Sequence, residues 1–196
     1  ETFNSNIMGT INILESIRNL KKNINLIFSS SDKAYGSLIV KAYLENHTLK
    51  GNYPYDVSKS ASDLIVQSYV KTYNLKAGII RSGNIYGPGD LNMDRLVPHV
   101  IISSLLKKKS ILRSNGKLIR DYIYVEDVAN AYYILMKKMM TSKEKLKIYN
   151  VGSKENLTVK NFVKLLTIMI NGKEIFPIIK NNSKIEIYRQ KLDYRS

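Results

Sequence analysis

The chain has 196 residues, 44% of them hydrophobic and 24% charged, and 31 Lys and Arg against 16 Asp and Glu leave a net charge of +15. This is globular composition with enough length for one substantial core, which excludes disordered and fibrous classes, and no apolar run approaches the roughly 20 residues that cross a bilayer. The lack of cysteine removes disulfide frameworks, thiolate metal sites and cysteine nucleophiles, while two isolated histidines, His47 and His99, read as surface or packing residues rather than metal ligands.

From the N-terminus, Phe3, Ile7, Ile11, Leu14 and Ile17 recur at three- and four-residue spacing and predict a helix over 2–20. A short apolar run predicts a strand over 25–30, buried on both faces. The same reading gives a helix over 56–73, a strand over 76–82 and a helix over 95–108. It continues with a strand over 118–122, a helix over 125–140, a strand over 146–151 and a helix over 158–170. Alternation of this kind predicts an α/β fold, a doubly wound parallel sheet flanked by helices. Ligands of such folds bind beyond the carboxyl ends of the strands, so the residues that follow each strand are the ones to interrogate.

After the first strand stand Ser29, Ser30, Ser31, Asp32 and Lys33; Pro54, Tyr55, Ser58 and Lys59 open the next helix. Tyr55 and Lys59 lie at i and i+4, on one helix face. An ammonium beside a phenol favours the phenolate, so the pair is expected to lower the Tyr55 pKa towards a value useful for a general base. A serine at the neighbouring strand end can bond the same substrate oxygen. The spacing itself is common in a chain with fourteen tyrosines, and Tyr133 with Lys137 repeats it inside an apolar helix, where packing explains it. Context separates the two. As for the positive charge, lysine outnumbers arginine by more than three to one and is scattered over every predicted element, with one tight run at Lys107, Lys108 and Lys109. That scatter argues against a nucleic-acid surface, which needs its cations on one face.

Seven blocks, in order along the chain, resemble the extended short-chain dehydrogenase/reductases, in particular the NAD-dependent epimerase/dehydratase group that acts on nucleotide sugars. Asn6, Gly9 and Thr10 match an Asn-x-x-Gly-Thr helix. The stretch from Phe28 to Gly36 matches the strand end with the catalytic Ser/Thr, and Pro54, Tyr55, Ser58 and Lys59 match the Tyr/Lys pair. The run from Arg81 through Asn84, Tyr86 and Gly87 to Asp90 matches a strand and loop that bind cofactor and substrate phosphates. Arg95 to Pro98, Arg120 to Val128 and Tyr149 to Gly152 complete the series. Ser82 departs from the pattern, standing where many members have cysteine. The Gly-x-x-Gly-x-x-Gly turn that opens members of the family does not occur, so the resemblance implies a piece whose N-terminal βαβ units lie outside the chain. It further implies that residues 1–90 hold the later half of a Rossmann-type dinucleotide domain, and that 91–196 are mainly a substrate-binding part interleaved with the last Rossmann strand.

What the resemblance implies about chemistry is specific. Ser31, Tyr55 and Lys59 would be catalytic, with Ser29, Tyr55, Lys59 and Arg81 contacting NAD; the chain leaves NAD against NADP open. Asn84, Arg95, Leu96, Arg120 and Asn150 would hold the nucleotide sugar. Asp32 and Lys33 occupy the two positions where dehydratases carry an acid and a base: CDP-glucose dehydratases have Asp-Lys there, dTDP-glucose dehydratases Asp-Glu, and epimerases usually non-ionisable residues. The reading is therefore a nucleotide-sugar 4,6-dehydratase, with a 4-epimerase or reductase of the same superfamily as the alternative, since Ser-Asp-Lys also occurs in epimerase-like members. A non-catalytic or basic binding module is a third. The helices over 2–20 and 56–73 correspond to the family's dimer-forming pair, which implies a homodimer, and sugar-nucleotide chemistry implies the cytoplasm with no membrane partner.

Overall fold

The computed structural model describes residues 1–182 and 187–195. Its main sheet holds β1 (Asn25–Ser31), β2 (Lys76–Ser82) and β6 (Leu146–Val151), all parallel, with β2 in the centre. The register aligns Ser31 with Ser82 and Ser82 with Val151, so the three carboxyl ends finish level. Alternation along the strands divides the core between two faces. On one face Ala77 and Ile79 of β2, with Leu26 and Phe28 of β1, pack against Leu14 of α1 (Gly9–Leu20) and Val66 and Val70 of α2 (Pro54–Tyr73). On the other, Ile80 and Ile27 meet Leu135 and Met139 of α4 (Val125–Thr141). The expected parallel sheet with helices on both faces is the fold observed.

The remaining elements form a smaller unit at the carboxyl end of the sheet. There β3 (Asn84–Tyr86) pairs in parallel with β5 (Tyr122–Tyr124), and β4 (Ile111–Leu112) pairs with β7 (Ile178–Ile179). Between them α3 (Leu96–Leu105) packs on α5 (Val159–Asn171) around Val100, Leu112, Leu118, Val159 and Val163. The strand predicted over 118–122 is shifted and shortened: the ladder runs over Tyr122–Tyr124, outside the main sheet. Its expected first residues staple other segments instead, Leu118 O accepting from Val159 N, and Ile119 exchanging backbone bonds with Tyr188 and Gln190. A reading of local pattern sees the apolar pair Leu118 and Ile119 but not the segments some 40 and 70 residues on that claim their backbone.

Helix ends follow local chemistry. Pro54 sits in the first turn of α2, where its missing N–H is no loss. Thr158 caps α5 by accepting from Asn161 N, and Lys107 in the left-handed region stops the chain after α3 earlier than the apolar pattern alone predicts. A π-helical turn over Asn4–Met8 precedes α1. Two glycines let the 36–53 loop lie against α2. Gly36 has φ +66°, and a Cβ there would stand 1.7 Å from Lys50 O; at Gly51 it would stand 2.4 Å from Asp56 C and Val57 N.

Candidate active site

The carboxyl ends of β1 and β2, the start of α2 and the smaller unit enclose a cleft of about 820 Å³. Ser31 ends β1 and caps a 3₁₀ turn over Asp32–Tyr35, its Oγ accepting from Lys33 N at 3.2 Å and donating to Asp32 Oδ1 at 3.1 Å. The turn directs Asp32 inward, 2% exposed, and Lys33 to the cleft wall. Across from them Tyr55 and Lys59 project from α2 into the same cleft. Thus Ser29, Ser31, Asp32, Lys33, Tyr55 and Lys59, expected together from the sequence, line one cavity, as do Asn84, Arg95, Leu96 and Arg120.

The electrostatics differ from expectation at one point. Lys59 Nζ donates to Ser29 O at 3.1 Å and stands 6.0 Å from the centre of the Tyr55 ring. Burial holds the Tyr55 hydroxyl above its ordinary value and the Asp32 charge adds to this, while a hydrogen bond shared with the Ser31 hydroxyl pulls the other way. Lys59 is itself pulled down by burial. The expected lowering of Tyr55 by Lys59 is therefore not what this arrangement produces, because the ammonium is held on a backbone carbonyl. Burial also raises the Asp32 carboxyl, against the opposing pull of Lys33 and the Ser31 hydrogen bond, and Asp32 Oδ2 has no partner among the described residues.

Two expected ligand contacts turn away from the cleft. Arg81, expected at the cofactor, is 1% exposed: its Nε and Nη2 donate to Asp63 at 2.9 Å each, and Nη1 donates to Tyr35 OH and Glu45 O at 2.8 Å. Desolvation alone would pull the guanidinium pKa down, but Asp63 and the Tyr35 contact raise it. Asn150, expected at the substrate, accepts from Tyr35 OH and donates Nδ2 to Tyr43 O, both at 2.8 Å. Neither lines the cleft. They form instead a buried network with Ser30, whose Oγ donates to Asp63 Oδ2 at 2.6 Å, that locks β1, β2, β6 and α2 together behind the catalytic groups. Asn6 belongs to the same support, donating to Ser58 Oγ at 2.8 Å while its carbonyl accepts from Ser62 Oγ at 2.9 Å.

The sequence reading missed the far wall. Arg113, Lys180 and Asn182 line the cleft beyond Arg95, and His99 lines it with Nε2 accepting from Ile111 N at 2.9 Å. These residues flank β4 and β7, whose pairing no local pattern signals. Arg120 Nη1 donates to the carbonyls of Ile119 and Ile187, at 3.0 and 2.7 Å. Among the described residues no helix is long and apolar enough to cross a membrane.

A parallel α/β sheet with a cleft where Ser31 at a strand end faces Tyr55 and Lys59 on the following helix defines a Rossmann-type α/β domain with its ligand site at the strand ends. The family model for the NAD-dependent epimerase/dehydratase family matches residues 1–152, and the chain belongs to that family. It is 30% identical over 208 residues to a dTDP-glucose 4,6-dehydratase of Escherichia coli, covering 97% of this chain and 54% of that protein. It is 32% identical over 168 residues to a UDP-glucose 4-epimerase of Mycoplasma genitalium, covering 77% and 49%. Among solved structures, a Bacillus anthracis dTDP-glucose 4,6-dehydratase in complex with NAD superposes with a TM-score of 0.84 at 28% identity, over 98% of this chain and 60% of that one. The chain thus spans only about half the length of these curated relatives. The family is NAD-dependent, and Lys59, Tyr55 and Ser29 line the cleft with an ammonium and two hydroxyls, groups whose chemistry suits the hydroxyl-rich parts of such a cofactor.

Proposed function

We propose that the chain is the active-site part of an NAD-dependent nucleotide-sugar 4,6-dehydratase. One observation carries the choice: Asp32 and Lys33 stand side by side next to Ser31, the acid buried with one oxygen unpartnered among the described residues and the base on the cleft wall. Epimerisation at C4 requires neither an acid at C6 nor a base at C5, whereas loss of water requires both. Bound NAD would supply hydride acceptance at the sugar C4 and later its return. Tyr55 takes the O4 proton and Ser31 holds that oxygen, each within reach of the other. The ketone acidifies C5; Lys33, as neutral amine, removes the C5 proton, and Asp32, whose carboxyl burial raises, gives its proton to the departing C6 hydroxyl, which leaves as water. Proton and charge balance: hydride would return to C6 of the C5–C6 double bond while Lys33 gives its proton back to C5, and the O4 proton taken by Tyr55 replaces, through solvent, the one Asp32 lost to the water.

The sugar nucleotide would lie with its phosphates toward Arg95, Arg113, Arg120 and Lys180, displacing the ion pairs that Arg95 makes with Asp90 and Arg113 with Asp94. The reading includes a homodimer, from the likeness of the helices over 2–20 and 56–73 to the family's dimer-forming pair, and a cytoplasmic location, from sugar-nucleotide chemistry. The test is incubation of the full-length protein with NAD and nucleoside-diphosphate glucose: a product lighter by one water is expected. Interconversion of C4 epimers with no loss of water would instead favour the epimerase reading, which the identity to the Mycoplasma genitalium enzyme supports.

A further inference from the structure

Gln190 is fully buried, yet it reaches the one basic side chain on which dehydration would depend: Lys33 Nζ donates to Gln190 Oε1 across 157 residues of sequence. The segment that carries it is pinned on both sides. Gln190 N donates to Ile119 O at 3.0 Å, Tyr43 N donates to Lys191 O at 2.7 Å, and Leu192 N donates to Asp121 Oδ2 at 3.1 Å. Lys191 Nζ adds an ion pair to the same Asp121 carboxylate at 3.1 Å. The amide Nε2 has no partner among the described residues, so the contact with Lys33 is what orients the amide.

The chemistry of the partner matters because Lys33 already faces acids. Asp32 adjoins it on the 3₁₀ turn, and Asp56, 4% exposed at the start of α2, feels its charge; the carboxyls of both are raised by burial and drawn down again by Lys33. Around Asp32 stand Arg120, Asp121 and the Tyr43 hydroxyl. A third carboxylate at position 190 would fix Lys33 as the ammonium. An amide carbonyl accepts from the ammonium and from the neutral amine alike, since both carry N–H.

We propose that Gln190 is a positioning residue for Lys33: its carbonyl holds the lysine nitrogen at the cleft wall in both protonation states, and its neutrality lets that nitrogen gain and lose a proton during turnover. The catalytic consequence rests on the dehydratase reading; the control of Lys33 by Gln190 does not.

The experiment is competitive labelling of the full-length protein with a small amine-reactive anhydride across pH, read at Lys33 by peptide mass spectrometry with exposed Lys71 of α2 as internal reference. Gln190→Glu, which keeps shape, is expected to move the Lys33 labelling midpoint up by about one pH unit. That is about tenfold less reactive amine at a given pH. Gln190→Met, which keeps volume and removes the acceptor, is expected to move it down. Lys71 stays put in both. The acidic limb of the pH profile for water loss should follow the Lys33 midpoint in Gln190→Glu. A Lys33 midpoint unchanged in either folded variant overturns the proposal. If the unsubstituted protein converts sugars without losing water, the dehydratase reading falls, and the labelling still decides the role of Gln190.

Discussion

Asp32 and Lys33 are adjacent in sequence but are given opposite surroundings by the turn that follows β1, one carboxyl sealed under the cleft floor and one amine on its wall. Because burial raises the Asp32 carboxyl above its ordinary 3.8, the folded chain binds this proton more tightly than the unfolded chain. Stability from this group is therefore greatest in acid and falls as pH rises from that ordinary value through the folded-state value, then levels. Asp32→Asn keeps the shape without the charge. Thermal melts at about pH 4 and about pH 8 should show the variant gaining mainly at the higher pH, by about 2–4 °C per kcal/mol. Equal gain at both would mean the carboxyl is not held protonated by the fold. Asp56, raised for the same reason, keeps part of the slope in the variant. The chemical counterpart concerns Lys33. Lys33→Met is expected to cut water loss by about 10²–10⁴-fold. Oxidation at C4, followed by the absorbance of reduced cofactor, should survive, because Tyr55 and Ser31 are untouched. Parallel loss of both would argue that Lys33 serves binding alone.

Helix α2 carries Tyr55 and Lys59, and its orientation depends on groups one and two turns further along. Asp63 takes two bonds from Arg81 and one from Ser30, all with both ionic partners essentially sealed from water. Replacing one member of such a pair strands the other charge, so Asp63→Asn should destabilise by about 3–5 kcal/mol, measurable by denaturant unfolding. Replacing both ion-pair partners with apolar residues should recover much of the loss; a single substitution costing under about 1 kcal/mol would show that Arg81 finds water instead. This support also explains what the sequence reveals at this scale. The short apolar runs of β1 and β2 and the i, i+4 pair on α2 are local, and they place the strands, Tyr55 and Lys59 where the structure has them. Arg81 and Asn150 look like ligand contacts from position alone. Whether they face a cleft or an inward partner depends on Asp63, Tyr35 and Tyr43, which lie far off in the chain. The same limit hid Gln190, Arg113 and Lys180, and it let a strand be read over 118–122 where the backbone binds the C-terminal segment.

At the scale of the whole molecule, α1 and α2 pack side by side and turn an apolar surface outward. Ile13 and Leu20 lie seven residues apart on α1 and are 54% and 55% exposed; Val57 and Leu64 have the same spacing on α2 and are 38% and 50% exposed. Seven residues is close to two helical turns, so each pair forms a stripe along one helix face. Residues of this kind gain about 25 cal/mol for each Å² withdrawn from water, which favours covering the stripes. The four residues of these stripes are uncharged, and the charge on the α2 stripe enters only a further seven residues on, at exposed Lys71. If the two helices form the proposed two-fold pair, Leu64→Glu sets like charges against each other across the axis in a dry interface. The variant should then run as a monomer by light scattering at concentrations where the unsubstituted full-length protein is a dimer, with the circular dichroism of each chain unchanged. A dimer that persists with the same dissociation constant would place the subunit contact elsewhere and leave these stripes as ordinary exposed apolar surface.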